Sequence, residues 1–367
     1  MKDILAERLL GIVLGWTPEE LSNERPIIDA LASLKYDDYQ QFKPGLKFLE
    51  SLALWLYQFE PNERKIAYDF IKTRLIYISS SEINHLVDIS YPAIIKPILF
   101  EQVSKIPYWQ TERIAESQLF KELRRRSLFL GLSDGARIDR FRRTNNELSH
   151  EQIYTSYELS IQKVESLVKK LKEDLQTLRG TNISDDDATF KNIFLLDDFS
   201  ASGMSMLRKK DDGKYGGKLE KIYHSIFSIG APLINAIDRN GCNIYSILYL
   251  MTDHAEKYLN QQILQFWDRD NFPCRVKSVL QLENKVKVNQ NTEKQIMKLI
   301  CKYYDPDTFD EHMEVGGTAD GKLGFAGCAL PVVISHNTPN DSIFLLWSNS
   351  ANIRGLFPRV ARHKEEI

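Results

Sequence analysis

Two adjacent carboxylates and a following loop of small residues are the part of this sequence best suited to chemistry. Asp197 and Asp198 come directly after an apolar run at 192–196. The loop after them contains Ser200, Ala201, Ser202, Gly203, Met204 and Ser205. Small residues let backbone N–H groups converge on an anion, and serine hydroxyls add donors. Two carboxylates repel a phosphate but accept hydrogen bonds from a sugar diol, directly or through a metal ion. The pattern therefore suits a ribose 5-phosphate.

The residues around the acids predict a strand, a loop and a helix in that order. Residues 192–196 are typical of a buried strand, and residues 204–207 are predicted to open a helix whose N-terminus adds positive potential. An alternative interpretation is a plain strand-to-helix turn in which the acids only cap the helix. Both interpretations place the acids at the carboxyl end of a strand.

This segment resembles the signature that binds phosphoribosyl pyrophosphate (PRPP) in type I phosphoribosyltransferases. The resemblance covers the strand, both acids, Ala201, Ser202, Gly203 and Ser205, and it departs at Phe199 and Ser200, where the family usually carries aliphatic residues. It implies that Asp197 and Asp198 are the catalytic acids, which contact the ribose hydroxyls and Mg²⁺. It also implies that residues 200–205 hold the phosphate.

A second candidate segment lies upstream at 127–143. A predicted strand at 127–131 leads into a loop with Ser133, Asp134, Gly135 and Arg137, in a place similar to the pyrophosphate loop of the same family. Glycine at 135 would allow an unusual backbone conformation. Residues 121–143 hold eight basic and three acidic residues, which suits a ligand with several negative charges. The alternative is a solvated basic helix face or a patch for a nucleic acid or a partner; it is the preferred interpretation of residues 124–126, whereas for Arg137 both roles stay open.

The third candidate is a loop after a predicted strand at 328–335. His336 and Asn337 begin this loop, where polar residues at a strand end suit ligand binding. A histidine has a pKa near neutrality and so can serve as a general acid or base. Trp347 further on could stack on a base, but a core position is the preferred interpretation.

Together these three segments resemble a narrower group, the phosphoribosyltransferase-like proteins of bacterial conflict systems. Some of that group are carried beside retron reverse transcriptases. The likeness spans roughly residues 120–360 and implies an antiviral effector role, with a retron reverse transcriptase and its nucleic acid as a potential partner complex. Residues 208–218 are interpreted either as a mobile flap over pyrophosphate or as an exposed loop without function.

The elements that position these residues alternate between strands and helices after residue 109. Strands are predicted at 127–131, 192–196, 243–251, 275–282 and 328–335, and helices at 150–178, 219–236, 254–267 and 292–304. This alternation indicates an α/β fold with a mostly parallel sheet flanked by helices. Ligands bind such sheets at the carboxyl ends of the strands.

The first hundred residues read as helices, so the chain is predicted to have two parts. Residues 1–105 form a helical N-terminal region for oligomerisation or for a protein partner, and residues 106–367 form the α/β domain. A helix is expected to begin at residues 80–82, and residues 62–78 are predicted to be helical.

Composition narrows the class of protein further. The chain has 367 residues, is 43% hydrophobic and 27% charged, and carries a net charge of −2. These values are typical of a globular protein and do not favour a basic nucleic-acid coat. The four cysteines are about 30 residues apart without a CxxC pair, which suggests reduced thiols in the cytoplasm. No apolar run reaches the ~20 residues of a membrane span, so no membrane association is expected.

Two functions fit these observations. The first is an enzyme that binds PRPP or a nucleotide and transfers or hydrolyses at the anomeric carbon of the ribose. The second is a non-catalytic sensor of the same ligands, or a partner-binding protein, since a fold does not dictate a function. No Walker phosphate loop, dinucleotide fingerprint, nucleophile elbow or HExxH motif is present in the sequence.

Overall fold

The computed structural model describes residues 3–103, 111–267, 271–350 and 352–359. The helices are Asp3–Leu14 (α1), Pro18–Leu34 (α2), Phe48–Tyr57 (α3), Arg64–Arg74 (α4), Ser80–Ile89 (α5), Lys96–Val103 (α6), Thr111–Glu116 (α7), Gln118–Arg125 (α8), Ile138–Thr144 (α9), Ile161–Arg179 (α10), Lys218–Phe227 (α11), Asp253–Phe266 (α12), Lys294–Lys302 (α13), Glu311–Glu314 (α14) and Phe344–Trp347 (α15). The strands are Ile76–Ile78 (β1), Ser127–Gly131 (β2), Ile153–Tyr154 (β3), Asn192–Ser200 (β4), Arg208–Lys209 (β5), Tyr215–Gly216 (β6), Asn243–Thr252 (β7), Cys274–Leu282 (β8) and Val332–Ile334 (β9).

The chain divides into two compact units. The sheet unit comprises residues 83–283, and the terminal unit comprises residues 1–82 together with residues 284–367. The predicted boundary between residues 105 and 106 falls outside the described residues. In the described part of the chain, every helix is too short or too polar to cross a membrane.

Five parallel strands form the sheet of the sheet unit, in the order β3-β2-β4-β7-β8. The predicted α/β class with a mostly parallel sheet is confirmed. If the five strands are numbered by their place in the chain, their order across the sheet is 2-1-3-4-5. The order therefore reverses between β2 and β4, and ligands bind open sheets of this kind at the carboxyl side of such a reversal.

Apolar side chains cover both faces of this sheet. On one face α10 packs through buried positions spaced three or four residues apart, Val164, Leu167, Leu171 and Leu175. The rings of Phe129 on β2, Phe194 on β4 and Tyr245 on β7 stack across these neighbouring strands. The centroids of Phe129 and Phe194 are 5.2 Å apart, as are those of Phe194 and Tyr245. Burial of each such side chain contributes about 1.5–3 kcal/mol, so the central strands are firmly held.

Two predicted helices are shorter than their apolar patterns indicated. The helix predicted at 150–178 is replaced by a short turn of helix, the edge strand β3 and then α10, because Ser149 and Gln152 close a capping box and Ser160 caps a new helix. The helix predicted at 219–236 ends at Phe227. A single helical turn at Pro232–Asn235 follows it, since proline begins helices but does not continue them.

The terminal unit has a two-stranded parallel sheet of its own. The prediction of a further main-sheet strand at 328–335 is wrong, because only Val332–Ile334 is a strand and it pairs with β1. Ala329 has a left-handed backbone (φ 52°), which stops the strand from starting earlier. Strand β1 also shortens the helix predicted at 62–78.

Two smaller predictions about the terminal unit are confirmed. A helix does begin at Ser80, where the Ser79 hydroxyl accepts a hydrogen bond from the backbone N–H of Glu82. Trp347 is a core residue, buried and donating from Nε1 to the Ser342 carbonyl at 2.7 Å.

Candidate functional site

Strand β4 extends four residues beyond its predicted end, so both acids belong to the strand itself. Asp197 lies opposite Leu248 of β7 in the parallel register. Successive side chains of a strand point to opposite faces of its sheet, and the two carboxylates therefore meet different surroundings. Both acids lie near the carboxyl end of β4, the central strand of the sheet. The strand order reverses next to them, between β2 and β4.

Asp197 is fully buried and both of its carboxylate oxygens have partners. The Ser133 hydroxyl donates to Oδ1 at 2.5 Å, and the Lys218 ammonium forms an ion pair with Oδ2. Burial raises the pKa of Asp197, as does the neighbouring charge of Asp198, while Lys218 and Ser133 act in the opposite direction. Asp197 thus ties the loop after β2 to the start of α11.

Asp198 keeps part of its surface exposed and lies against Gly135. Its Oδ1 accepts a hydrogen bond from the Phe199 backbone N–H at 2.9 Å. A Cβ at position 135 would stand 2.5 Å from Asp198 Cγ, which no real contact allows. Glycine is needed here for space and not, as predicted, for an unusual backbone, because the left-handed residue of this loop is Arg137 (φ 47°).

Helix α5 holds the arginines that follow this loop. Arg137 donates to the Asn84 side-chain oxygen at 3.0 Å, and Arg140 forms a bidentate pair with Asp88 at 2.7 and 2.5 Å. Asp134, by contrast, is exposed. Neither Asn84 nor Asp88 could be predicted from the sequence, because neither stands near the acids or in a recognisable pattern.

The buried Tyr249 hydroxyl fixes the same loop from β7. It donates to the Ala136 carbonyl at 2.6 Å. Tyr249→Phe is expected to lower the free energy of unfolding by about 1–3 kcal/mol, because the carbonyl is left without its buried partner. Urea unfolding of the full chain measures this change. Tyr215→Phe is the control, since its hydroxyl bonds Gln265 at an exposed position, and an equal change in both variants would contradict the assignment.

The small-residue loop packs its backbone closely against α12. Ala201 and Ser202 are buried, and the Ala201 carbonyl accepts a hydrogen bond from Thr252 at 2.6 Å. Gly203 has φ 80°, and a Cβ there would stand 2.7 Å from the Tyr258 ring. Ser200 is buried, and its hydroxyl has no hydrogen-bond partner among the described residues. A buried hydroxyl without a partner at the carboxyl end of the strand that carries the acids is a candidate ligand donor.

The prediction that residues 204–207 open a helix is wrong. These residues form turns, and the chain continues into a hairpin of β5 and β6 before α11 begins at Lys218. At Gly217 (φ 118°) the chain comes back so close to Met206 that a Cβ at residue 217 would stand 2.6 Å from the Met206 carbonyl oxygen. The helix N-terminus beside the loop is therefore that of α11, whose Lys218 N–H donates to the Ser205 carbonyl at 3.2 Å.

Residues 124–126 support the fold instead of forming a solvated face. Arg125 and Arg126 are buried, and Arg125 donates to Asp174 at 2.6 Å. Arg124 pairs with Glu147 at 2.8 Å. The predicted solvated face is thus wrong for two of the three arginines.

His336 and Asn337 belong to the terminal unit. They follow β9, and the Asn337 N–H donates to the Ile334 carbonyl at 3.0 Å in a tight turn. Within the sheet unit, Ser133 contacts Asp197 and Gly135 lies against Asp198, whereas Asp134 is exposed and Arg137 bonds Asn84. The expectation that His336 ends a strand of the same sheet does not hold, because β9 is part of the two-stranded sheet.

The side chains near the acids do not fit a Mg²⁺ ion bound directly to Asp197. Both oxygens of Asp197 are engaged by Ser133 and Lys218. Within the described ranges, no cluster of three or more histidine, cysteine, aspartate or glutamate side chains is placed to hold a metal. Mg²⁺ at this pair of acids stays a prediction that the surroundings of Asp197 do not favour.

One groove of the sheet unit lies away from the acids. It has a volume of about 640 Å³ and lies between α10 and Pro232–Asn235. Side chains of both charges line the groove, among them Glu165, Lys169 and Lys172, and they form no recognisable catalytic or binding arrangement. The carboxyl end of β4 remains the better candidate, because it combines a buried acid, a partly exposed acid, a cation and a loop of small residues.

Comparisons with known proteins give one result. A family model described as PRTase-CE matches residues 52–359, which is most of the chain. No curated protein matches the chain significantly, and neither does any solved structure. The matched range includes the acids, both loops around them and α5.

Proposed function

The chain belongs to the PRTase-CE family and is phosphoribosyltransferase-like, and we propose that it binds the ribose phosphate of PRPP or of a nucleotide and acts at the anomeric carbon. The reaction is either transfer of the phosphoribosyl group to an acceptor or its hydrolysis. In both, the bond from the anomeric carbon to its leaving group breaks, and a bond to the acceptor or to water forms.

One observation carries this proposal. A partly exposed carboxylate, Asp198, stands at the reversal of strand order, with the small-residue loop 200–205 directly after it on the chain. Carboxylates accept hydrogen bonds from ribose hydroxyls, and backbone N–H groups in such a loop bind phosphate. The two functions are therefore adjacent, as they must be for a ligand that joins a sugar to a phosphate.

The chain's own residues have separate tasks in this proposal. Asp198 orients the ribose and stabilises positive charge that develops at the anomeric carbon. Ser200 and the loop after it hold the phosphate. Arg137, fixed by Asn84, and the ammonium of Lys218 add positive potential for a pyrophosphate leaving group. Asp197 positions Ser133 and Lys218 and does not itself need to touch the ligand.

The Ser200 hydroxyl gives a test of the phosphate subsite. Ser200→Ala is expected to weaken binding of ribose 5-phosphate by about tenfold, since one ligand hydrogen bond is lost, while the free energy of unfolding stays the same or rises. Calorimetric titration and urea unfolding measure the two quantities. Ser246→Ala is a matched control, because this hydroxyl is also buried and also lacks a partner among the described residues, but lies mid-strand in β7. Equal affinities in both variants would contradict the subsite.

A non-catalytic sensor is the second candidate function. The observation that favours it is the ion pair of Lys218 with Asp197, which commits one of the two signature acids to the fold. Titration of the full-length protein with PRPP, followed by product analysis of the same samples, separates the candidates. Release of pyrophosphate indicates an enzyme, binding without products indicates a sensor, and no binding by ribose phosphates contradicts both.

We also propose a more specific biological role for the chain, that of an effector in a bacterial antiviral defence system. Its support is the sequence resemblance to conflict-system proteins. A cytoplasmic location and a retron reverse transcriptase with its nucleic acid as partner belong to the same proposal. Helix α1 offers exposed apolar residues, Ile4, Leu5 and Ile12, for a protein partner or a second copy. Sedimentation of the full-length chain, alone and with such a complex, tests these partners, and an unchanged mass in both cases would count against them.

A further inference from the structure

Lys218 places an ammonium group at the acid where the signature predicts a metal ion. Its Nζ pairs with Oδ2 of Asp197, while Oδ1 accepts from Ser133. Lys218 stands about twenty residues after the acids, beyond the β5–β6 hairpin, so no local motif connects it to them. The contact exists only because the chain returns to the sheet at the start of α11.

The backbone holds Lys218 in this position. The N–H of Lys218 donates to the Ser205 carbonyl at 3.2 Å, and the N–H of Leu219 donates to the Met206 carbonyl at 2.8 Å. These bonds attach the first turn of α11 to the end of the small-residue loop. The cation is therefore fixed from the same loop that is proposed to hold the phosphate.

The two partners differ in exposure. The Asp197 side chain is 0% exposed, whereas the Lys218 side chain is 31% exposed. A buried carboxylate needs a counter-charge, because an uncompensated buried charge is strongly destabilising. The ammonium supplies that charge from the solvent side, and it keeps two further N–H donors for an anionic oxygen.

A divalent ion that shared an oxygen of Asp197 with either partner would stand close to the ammonium at a fully buried carboxylate, so direct binding to Asp197 favours displacement of one partner. If it replaced Lys218, it would bring two positive charges close to a lysine whose backbone is fixed. If it replaced Ser133, it would break the link to the loop that contains Gly135. Lysine and metal are thus alternatives at this carboxylate.

We infer that Lys218 is the built-in cation of the site, and that it takes the place of a divalent metal at Asp197. The part of this inference that concerns ligands rests on the proposed function. The site then needs no metal ion to bind a ribose phosphate that carries no pyrophosphate group. Removing the ammonium opens Asp197 to a divalent cation.

Four full-length proteins test this: the native chain, Lys218→Met, Lys218→Arg and the control Lys221→Met, which changes an exposed lysine one turn further along α11. Binding of Mn²⁺ alone is measured by electron paramagnetic resonance. Lys218→Met is expected to bind Mn²⁺ at least about tenfold more tightly than the native chain, because an unpaired buried carboxylate gains a partner. Lys218→Arg and Lys221→Met are expected to match the native chain. Thermal unfolding with and without Mn²⁺ shows whether the metal restores stability to Lys218→Met alone.

A second arm measures ribose 5-phosphate by calorimetry, with chelator or with Mg²⁺. The native affinity is expected to be the same in both, and that of Lys218→Met is expected to depend on Mg²⁺. A native affinity that requires Mg²⁺, or Mn²⁺ binding that is equal in all four proteins, overturns the inference. If the native chain binds no ribose 5-phosphate both with chelator and with Mg²⁺, the proposed function is refuted, while the Mn²⁺ arm still decides the role of Lys218.

Discussion

The double variant Asp197→Asn, Asp198→Asn is expected to lose turnover and to bind ribose phosphates at least about 100-fold more weakly, since hydrogen bonds to a charged group contribute up to about 3 kcal/mol. Asparagine retains one carbonyl oxygen at residue 197, so Lys218 keeps an acceptor, while the new side-chain amide can donate to the Ser133 hydroxyl; the fold is expected to survive with reduced stability. Calorimetric titration with PRPP, product analysis and urea unfolding measure the three quantities.

The single variants are expected to separate the tasks of the two acids. Asp198→Asn is expected to reduce ligand affinity without a loss of stability, because Asp198 is partly exposed and faces the ligand in the proposal. Asp197→Asn is expected to cost stability as well, because the buried ion pair with Lys218 loses its charge. Asp186→Asn, a change in the exposed acidic run 185–187, is the control. Full turnover in the double variant would refute the catalytic assignment.

The main sheet could be predicted from the sequence where its strands carry their own apolar pattern. Strands β2, β4, β7 and β8 are runs of five to ten residues, and the sequence alone located all of them to within a few residues. Their extensions come from pairing: β4 continues to Ser200 because Phe199 and Ser200 pair with residues of β7. Such long-range hydrogen bonds leave no trace in the local sequence.

Short strands could not be predicted for the same reason. Strand β3 has two residues, and its start is held by Gln152, which donates to the Ser127 carbonyl at 2.7 Å from 25 residues away. Strand β1 exists only through its pairing with β9. The pattern at 328–335 correctly indicated an extended segment, but periodicity does not tell to which sheet a strand belongs.

The acids and their loop could be recognised because their order on the chain is itself the signal. The residues that complete the surroundings of the acids come from elsewhere: Lys218 lies beyond a hairpin, and Asn84 lies on a helix that precedes the sheet. A lone lysine at the start of a helix is unremarkable in sequence. Only the fold shows that its ammonium meets a buried carboxylate.

Gly135→Ala is expected to weaken binding of ribose 5-phosphate by about 10- to 100-fold, because a methyl group at this position overlaps the carboxylate of Asp198. Since Asp198 is attached to the central strand, its side chain must rotate away or the loop 133–136 must shift. Either movement separates the acid from the proposed phosphate loop, and misplacement of a catalytic group by about 1 Å can cost about 100-fold. Calorimetric titration measures the affinity, and urea unfolding measures the stability.

Gly216→Ala is the matched control for this variant. A Cβ at residue 216 would meet only the far end of the Lys210 side chain at 2.9 Å, and that side chain can move aside. Both variants add the same methyl group within the sheet unit, so a general effect of alanine would appear in both. If Gly135→Ala binds as the native chain does, Asp198 has no role that depends on its position, and the ribose-binding assignment fails. If the affinity falls while stability is kept, the contact between this loop and Asp198 is what orients the acid.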